Sequence, residues 1–120
     1  MYYNIVQKGG LNFVECLPGV QCLNSEQEAL DLVATCGENE TNRLLLHAEN
    51  LSPDFFDLKS GLAGRILLKF STYYLRVAAV LPTEVAMNGR FGEMVLETNR
   101  GNEFRVFQSR EQAEDWLVQA

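Results

Sequence analysis

Apolar residues recur along this chain in two rhythms, one of short runs and one of three-to-four spacing. Residues 3–7 and 11–16 read as strands on either side of Lys8-Gly9-Gly10, a turn signal that predicts a β-hairpin. Asn24-Ser25-Glu26-Gln27-Glu28 then has the form of a capping box, in which Ser25 accepts from a backbone amide and Glu28 reaches back. Ala29, Leu30, Val33 and Cys36 follow at helical spacing, and Gly37 can end that helix in a left-handed conformation. Leu44-Leu45-Leu46-His47-Ala48 is the length of a strand and apolar enough to be covered on both faces. Leu58, Leu62, Ile66 and Phe70, with Ala63 and Leu67 beside them, make the broad stripe of a second helix, and Lys59, Ser60, Arg65 and Lys69 take its polar side. Residues 75–81 read as another interior strand, stopped by Pro82. Residues 90–98 predict a third helix with Phe91, Met94, Val95 and Thr98 on one face, and residues 103–107 a last strand. Ser109-Arg110-Glu111-Gln112 repeats the capping pattern before a final helix that buries Ala113, Trp116, Leu117 and Ala120.

The predicted order is therefore ββαβαβαβα, an α/β domain spanning residues 1–120 with a central mixed, mostly parallel sheet and four helices. Each of the last three strands is separated from its predecessor by a helix and should be parallel to it. Residues 44–46 and 77–80 are expected on the most buried strands.

Charge and composition narrow the function more than they define it. A net charge of −6 disfavours a general nucleic-acid binder, and Arg90, Arg100, Arg105 and Arg110 are the only candidates for a local basic patch. No long apolar run suggests membrane insertion, and a cytoplasmic location is expected. Cys16, Cys22 and Cys36 are odd in number and match no standard zinc or redox spacing, even with His47 added, so they read as buried free thiols in a reducing compartment. The sequence offers no catalytic constellation and implies no metal or cofactor.

The segment from Asp54 to Phe70 is the most informative, because Gly61 and Gly64 interrupt what otherwise starts as a helix. Each glycine inside a helix costs about 0.5–1 kcal/mol relative to alanine, which asks for a close backbone approach or a partner-facing terminus. Phe55 and Phe56 are adjacent, so in extended chain one of them faces outward, whereas a bent loop could pack both. Ser60, at a helix start, is either a cap or a phosphoacceptor whose phosphate would meet free amides, with Lys59 and Arg65 nearby. The expected contact surface comprises Phe55, Phe56, Asp57, Lys59, Gly61, Gly64 and Arg65. The competing expectation is a small-ligand site or enzyme at the carboxyl ends of the strands, using His47, Asp54 and Asp57. Arg90, Glu93, Glu97 and Arg100 form a second polar cluster, read either as intrahelical pairs or as a partner surface.

The order of elements resembles the sulfate-transporter and anti-sigma-factor-antagonist (STAS) fold, and Asp57-Leu58-Lys59-Ser60-Gly61-Leu62-Ala63-Gly64 is similar to the segment opening the second helix of its antagonist members. That resemblance implies a non-enzymatic regulatory module, with a protein partner, a homodimer among the options, and Ser60 at the position of the phosphorylated serine. Lys59 in place of a second hydroxyl and the longer loop from Ser52 to Phe56 depart from the pattern. The chain resembles still more closely a small bacterial family called domain of unknown function 4180, through Asp54-Phe55-Phe56-Asp57-Leu58, Gly61-Leu62-Ala63-Gly64 and the stretch from Phe91 to Gly101.

Overall fold

Strand alternation decides how this protein is layered. In β2 (Leu11–Cys16), Val14 and Cys16 point to one face of the sheet, while Phe13 points to the other. β3 (Arg43–His47) and β4 (Arg76–Val80) repeat this: Leu44, Leu46, Val77 and Ala79 join the first face, Leu45 and Ala78 the second. A sheet covered on both sides results. The computed structural model describes residues 2–119, so the expected burial of Ala120 lies outside the described residues.

The five strands lie in the order β1-β2-β3-β4-β5, with β1 (Tyr3–Lys8) antiparallel to β2 and the pairs β2–β3, β3–β4 and β4–β5 parallel. The hairpin closes on Gly9 and Gly10, both at positive φ, as a two-residue turn between right-twisted strands requires. β5 (Phe104–Phe107) is the opposite edge of the sheet.

Helix α1 (Glu26–Glu38) starts where its capping box predicts: Ser25 Oγ accepts from Glu28 N at 3.3 Å, and Glu28 Oε1 accepts from Asn24 N at 2.7 Å. Its buried side is Ala29, Leu32, Thr35 and Cys36, while Leu30 and Val33 are only half-buried. The four-helix expectation is corrected to six α-helices among the described residues, because two crossovers each hold a broken pair. Between β3 and β4 come α2 (Pro53–Phe56) and α3 (Leu62–Thr72), separated by a 3₁₀ turn over Leu58–Ser60; between β4 and β5 come α4 (Thr83–Ala86) and α5 (Gly89–Thr98). Side chains of α1, α2, α3 and α5 pack together on the first face of the sheet.

Helix α6 (Arg110–Leu117) alone covers the second face, through Ala113, Trp116 and Leu117. Two cations fasten its carboxyl end. Arg43 Nε donates to Leu117 O at 2.6 Å and Arg76 Nη2 to Trp116 O at 2.7 Å, with the Arg76 guanidinium 3.9 Å from the centre of the Trp116 ring. These last-turn carbonyls have no intrahelical donors and carry the negative end of the helix dipole, so positive charge belongs there.

Candidate functional site

The loop leading into α3 is built by backbone requirements that sequence spacing hid. Gly61 stands at φ +78°, a left-handed conformation that ends the 3₁₀ turn and starts α3, so the helix begins at Leu62 rather than running through from Leu58. Asp57 Oδ1 accepts from Lys59 N at 3.1 Å. The Ser60 hydroxyl points back at the carbonyl oxygens of Asp54 (2.6 Å) and Asp57 (2.7 Å), while its oxygen accepts from Leu62 N at 3.2 Å. Ser60, one residue before the Gly61 N-cap, therefore holds the first amide of α3 and ties the start of that helix to α2. Arg65 reinforces the turn, with Nη1 donating to Ser60 O at 3.3 Å and Nε lying 3.0 Å from Glu26 Oε1 on α1.

Of the two readings left open for Phe55 and Phe56, the structure takes the bent loop that packs both. The Phe55 ring is fully buried, edge to face with Phe91 at 6.0 Å and with Phe56 at 5.8 Å, because one short helical turn after Pro53 points it inward. Phe56 is half-buried and packs on Phe91 at 5.1 Å, so both aromatics plug the base of the bent loop. What remains outward is Asp57, Lys59, Gly64, Arg65 and Leu68. Gly64 sits on the outer side of α3, where an added Cβ would meet nothing within 4 Å, and one turn on Leu68 leaves 64% of its surface exposed.

All four residues of the second polar cluster are exposed along α5 and just past its end, and one ion pair joins two of them. Arg100 Nη1 pairs with Glu97 Oε1 at 3.3 Å, both well exposed. Arg90 instead borders a shallow cleft of about 190 Å³ with Phe56, Asp57, Lys59 and Phe91. Glu93 and the exposed Leu96 line a 330 Å³ groove between α5 and the edge strand β5, with Val95 and Val106 among its buried lining. Asn99 closes that edge: Val106 N donates to Asn99 Oδ1 at 2.8 Å, and Asn99 Nδ2 donates to Val106 O at 3.4 Å.

His47, Asp54 and Asp57 are not gathered into a site. The His47 ring lies on the α6 side, its Nε2 2.7 Å from Glu15 Oε2, whereas Asp54 and Asp57 are exposed on the loop before α3. Glu15 is the buried acid that spacing did not single out. It receives a two-pronged contact from Arg110 at the start of α6, with Nε to Oε2 at 2.9 Å and Nη2 to Oε1 at 2.6 Å. Arg110 Nη1 reaches Glu114 at 2.6 Å, and Lys8 bridges Glu114 and Asp115 at 3.3 and 3.1 Å. Burial raises the Glu15 pKa, but the hydrogen bonds and charges of Arg110 and His47 outweigh it and hold the carboxyl below its ordinary value. The available sequence signal was a charged residue inside the apolar strand Phe13-Val14-Glu15-Cys16; its partner stands 95 positions away. All three side chains satisfy one another, which makes the cluster a clamp between α6 and the sheet.

Among the described residues no group of three His, Cys, Asp or Glu is placed to hold a metal ion, and no helix is long and apolar enough to cross a membrane. The loop before α3, the first turn of α3 and most of α5 hold the segments whose residues resemble an uncharacterised family. The model of that family, described as Domain of unknown function (DUF4180), matches residues 8–117. The chain belongs to this family. The match runs from the end of β1 to the end of α6, so both layers and the Glu15–Arg110 clamp fall within the family's domain. No curated protein and no solved structure matches the chain.

Proposed function

We propose that this protein is a non-catalytic regulatory or scaffolding module that docks a protein partner on the outer face of α3 and the turn before it, from Asp57 through Gly64 to Leu68. Gly64 carries the reading. It is helical, nothing in the chain crowds it, and alanine there would stabilise the helix by about 0.5–1 kcal/mol. A helix that forgoes that stability beside an exposed leucine presents a flat apolar step, onto which another backbone can close as far as helix packing allows, about 8 Å between axes. Lys59, Asp57 and Arg65 give the step a polar rim.

The resemblance of the element order to STAS modules supports the same reading, since their antagonist segment corresponds to Asp57–Gly64 here. Phosphorylation of Ser60 fits as its switch: a phosphate cannot donate to the Asp54 and Asp57 carbonyls, so it would open the cap and reshape the turn. The ligand-site alternative is less well supported, because His47 is committed to Glu15 and lies apart from both aspartates.

The test is capture from native extract with the full chain as bait, combined with a photo-crosslinker installed at position 68. Leu68→Glu and Gly64→Arg should each abolish a partner that wild type retains and that the crosslinker joins, while Gln119→Glu at the far end keeps it. Equal capture by all four proteins would overturn the docking face.

A further inference from the structure

Cys16 ends β2, and Cys22 follows it across a short loop whose shape is fixed by its own hydrogen bonds. Leu17 N donates to Tyr2 O at 2.8 Å, and the buried Asn50 side-chain amide donates to Leu17 O at 2.8 Å and Val20 O at 2.7 Å. Cys22 N donates to Asn50 O at 3.0 Å, and Leu23 bridges to Leu51 beside it. The loop thereby returns the Cys22 sulfur to 3.5 Å from the Cys16 sulfur, at direct contact. Both residues are buried, Cys16 completely and Cys22 with 6% of its surface open. Cys36 is chemically different: its sulfur lies 4.0 Å from the Arg43 carbonyl oxygen, and burial pushes its thiol up to about 12.

We propose that Cys16 and Cys22 are a dithiol that a hydroperoxide converts reversibly into an intramolecular disulfide. Cys22 is the attacking sulfur, because it alone of the pair keeps open surface. The contact between the two sulfurs holds the Cys22 thiol below its ordinary value, while the same contact and burial push the Cys16 thiol up. The Cys22 thiolate takes one peroxide oxygen, the O–O bond breaks, and the other oxygen leaves with a proton as water or an alcohol, giving a sulfenic acid. The Cys16 sulfur then attacks the Cys22 sulfur, the S–O bond breaks, and the hydroxyl leaves with the Cys16 proton as water. Two electrons pass from the two thiols to the peroxide. A disulfide is about 2.05 Å long, so the sulfurs need to close by only about 1.5 Å, within reach of side-chain and loop adjustment. Thiol–disulfide exchange with a dithiol reductant reverses the change.

The experiment treats the reduced full chain with hydrogen peroxide under native conditions, then counts remaining thiols with a maleimide in denaturant and weighs the intact protein. Loss of two hydrogens, with one thiol of the three remaining, is the expected result, and dithiothreitol should restore all three. Cys36→Ser should form the bridge and keep no thiol, whereas Cys22→Ser should form no intramolecular bridge. Digestion of oxidised wild type without reduction should yield a Cys16–Cys22 cross-linked peptide, a result that needs no variant to fold. Survival of all three thiols, addition of oxygen without loss of hydrogens, or a bridge to Cys36 or to a second molecule would overturn the proposal.

Discussion

Replacing Arg110 with methionine should cost this fold about 2 kcal/mol, and the loss should depend on pH. The substitution keeps the aliphatic stem and removes two charge-assisted hydrogen bonds to Glu15, at 2.9 and 2.6 Å, along with an i,i+4 contact to Glu114. Hydrogen bonds to charged groups contribute about 1.5–3 kcal/mol each, and stripping a buried charge of its partner costs about 3–5 kcal/mol. The loss here is smaller on two grounds. The Arg110 side chain is 43% exposed, so water replaces part of the interaction, and Glu15 keeps His47 at 2.7 Å. About 2 kcal/mol in a domain of this length corresponds to roughly 6–10 °C in Tm. The Glu15 pKa is depressed in the folded protein, so its contribution is present above the unfolded carboxyl value of about 4.3 and is lost as pH falls through the lower folded value. Urea unfolding of wild type, Arg110→Met and Glu15→Gln across this range provides the assay. The gap between wild type and either variant should be full near neutral pH and shrink below about pH 4. An Arg110→Met protein as stable as wild type at neutral pH, or a gap that persists unchanged into strong acid, would refute the clamp.

Gly64→Ala and Gly92→Ala form a matched pair read by thermal melting. The first should raise stability by about 0.5–1 kcal/mol, since its Cβ meets nothing. The second should lower it by about 1–3 kcal/mol, because a Cβ there would lie 2.7 Å from the Met87 carbonyl carbon and force α4 away from α5. Phe55→Ala should cost about 3–5 kcal/mol in urea unfolding, the penalty of a core ring rather than of a contact residue. Asn99→Ala should cost about 1 kcal/mol by removing the partner of the Val106 amide, and it should increase self-association relative to wild type in concentration-dependent light scattering by uncovering the edge of β5; unchanged scattering with unchanged stability would contradict the clasp.

Features under local chemical control are legible along the chain. Ser25 and Ser109 cap α1 and α6 because their acceptors lie three residues from the amides they serve, and the Gly9-Gly10 turn specifies the hairpin within its own length. Leu44, Leu45 and Leu46 announce a strand covered on both faces because every one of them must leave water. The parallel order of β2 through β5 follows from the crossovers between them. Local patterns misplaced the second helix, because the Leu58-to-Phe70 stripe has one period through the Gly61 break and the left-handed conformation there leaves no mark on hydrophobic spacing. They also left Phe55 undecided between core and surface until Phe91 arrived from α5 to cover it. The pairing of Glu15 with Arg110, the docking of Arg43 and Arg76 on the carbonyls that end α6, and the Cys16–Cys22 contact emerge only once the chain has folded. Each joins residues whose side chains meet only after the sheet has set their faces, and a one-dimensional pattern encodes which face a residue takes far better than which distant partner waits there.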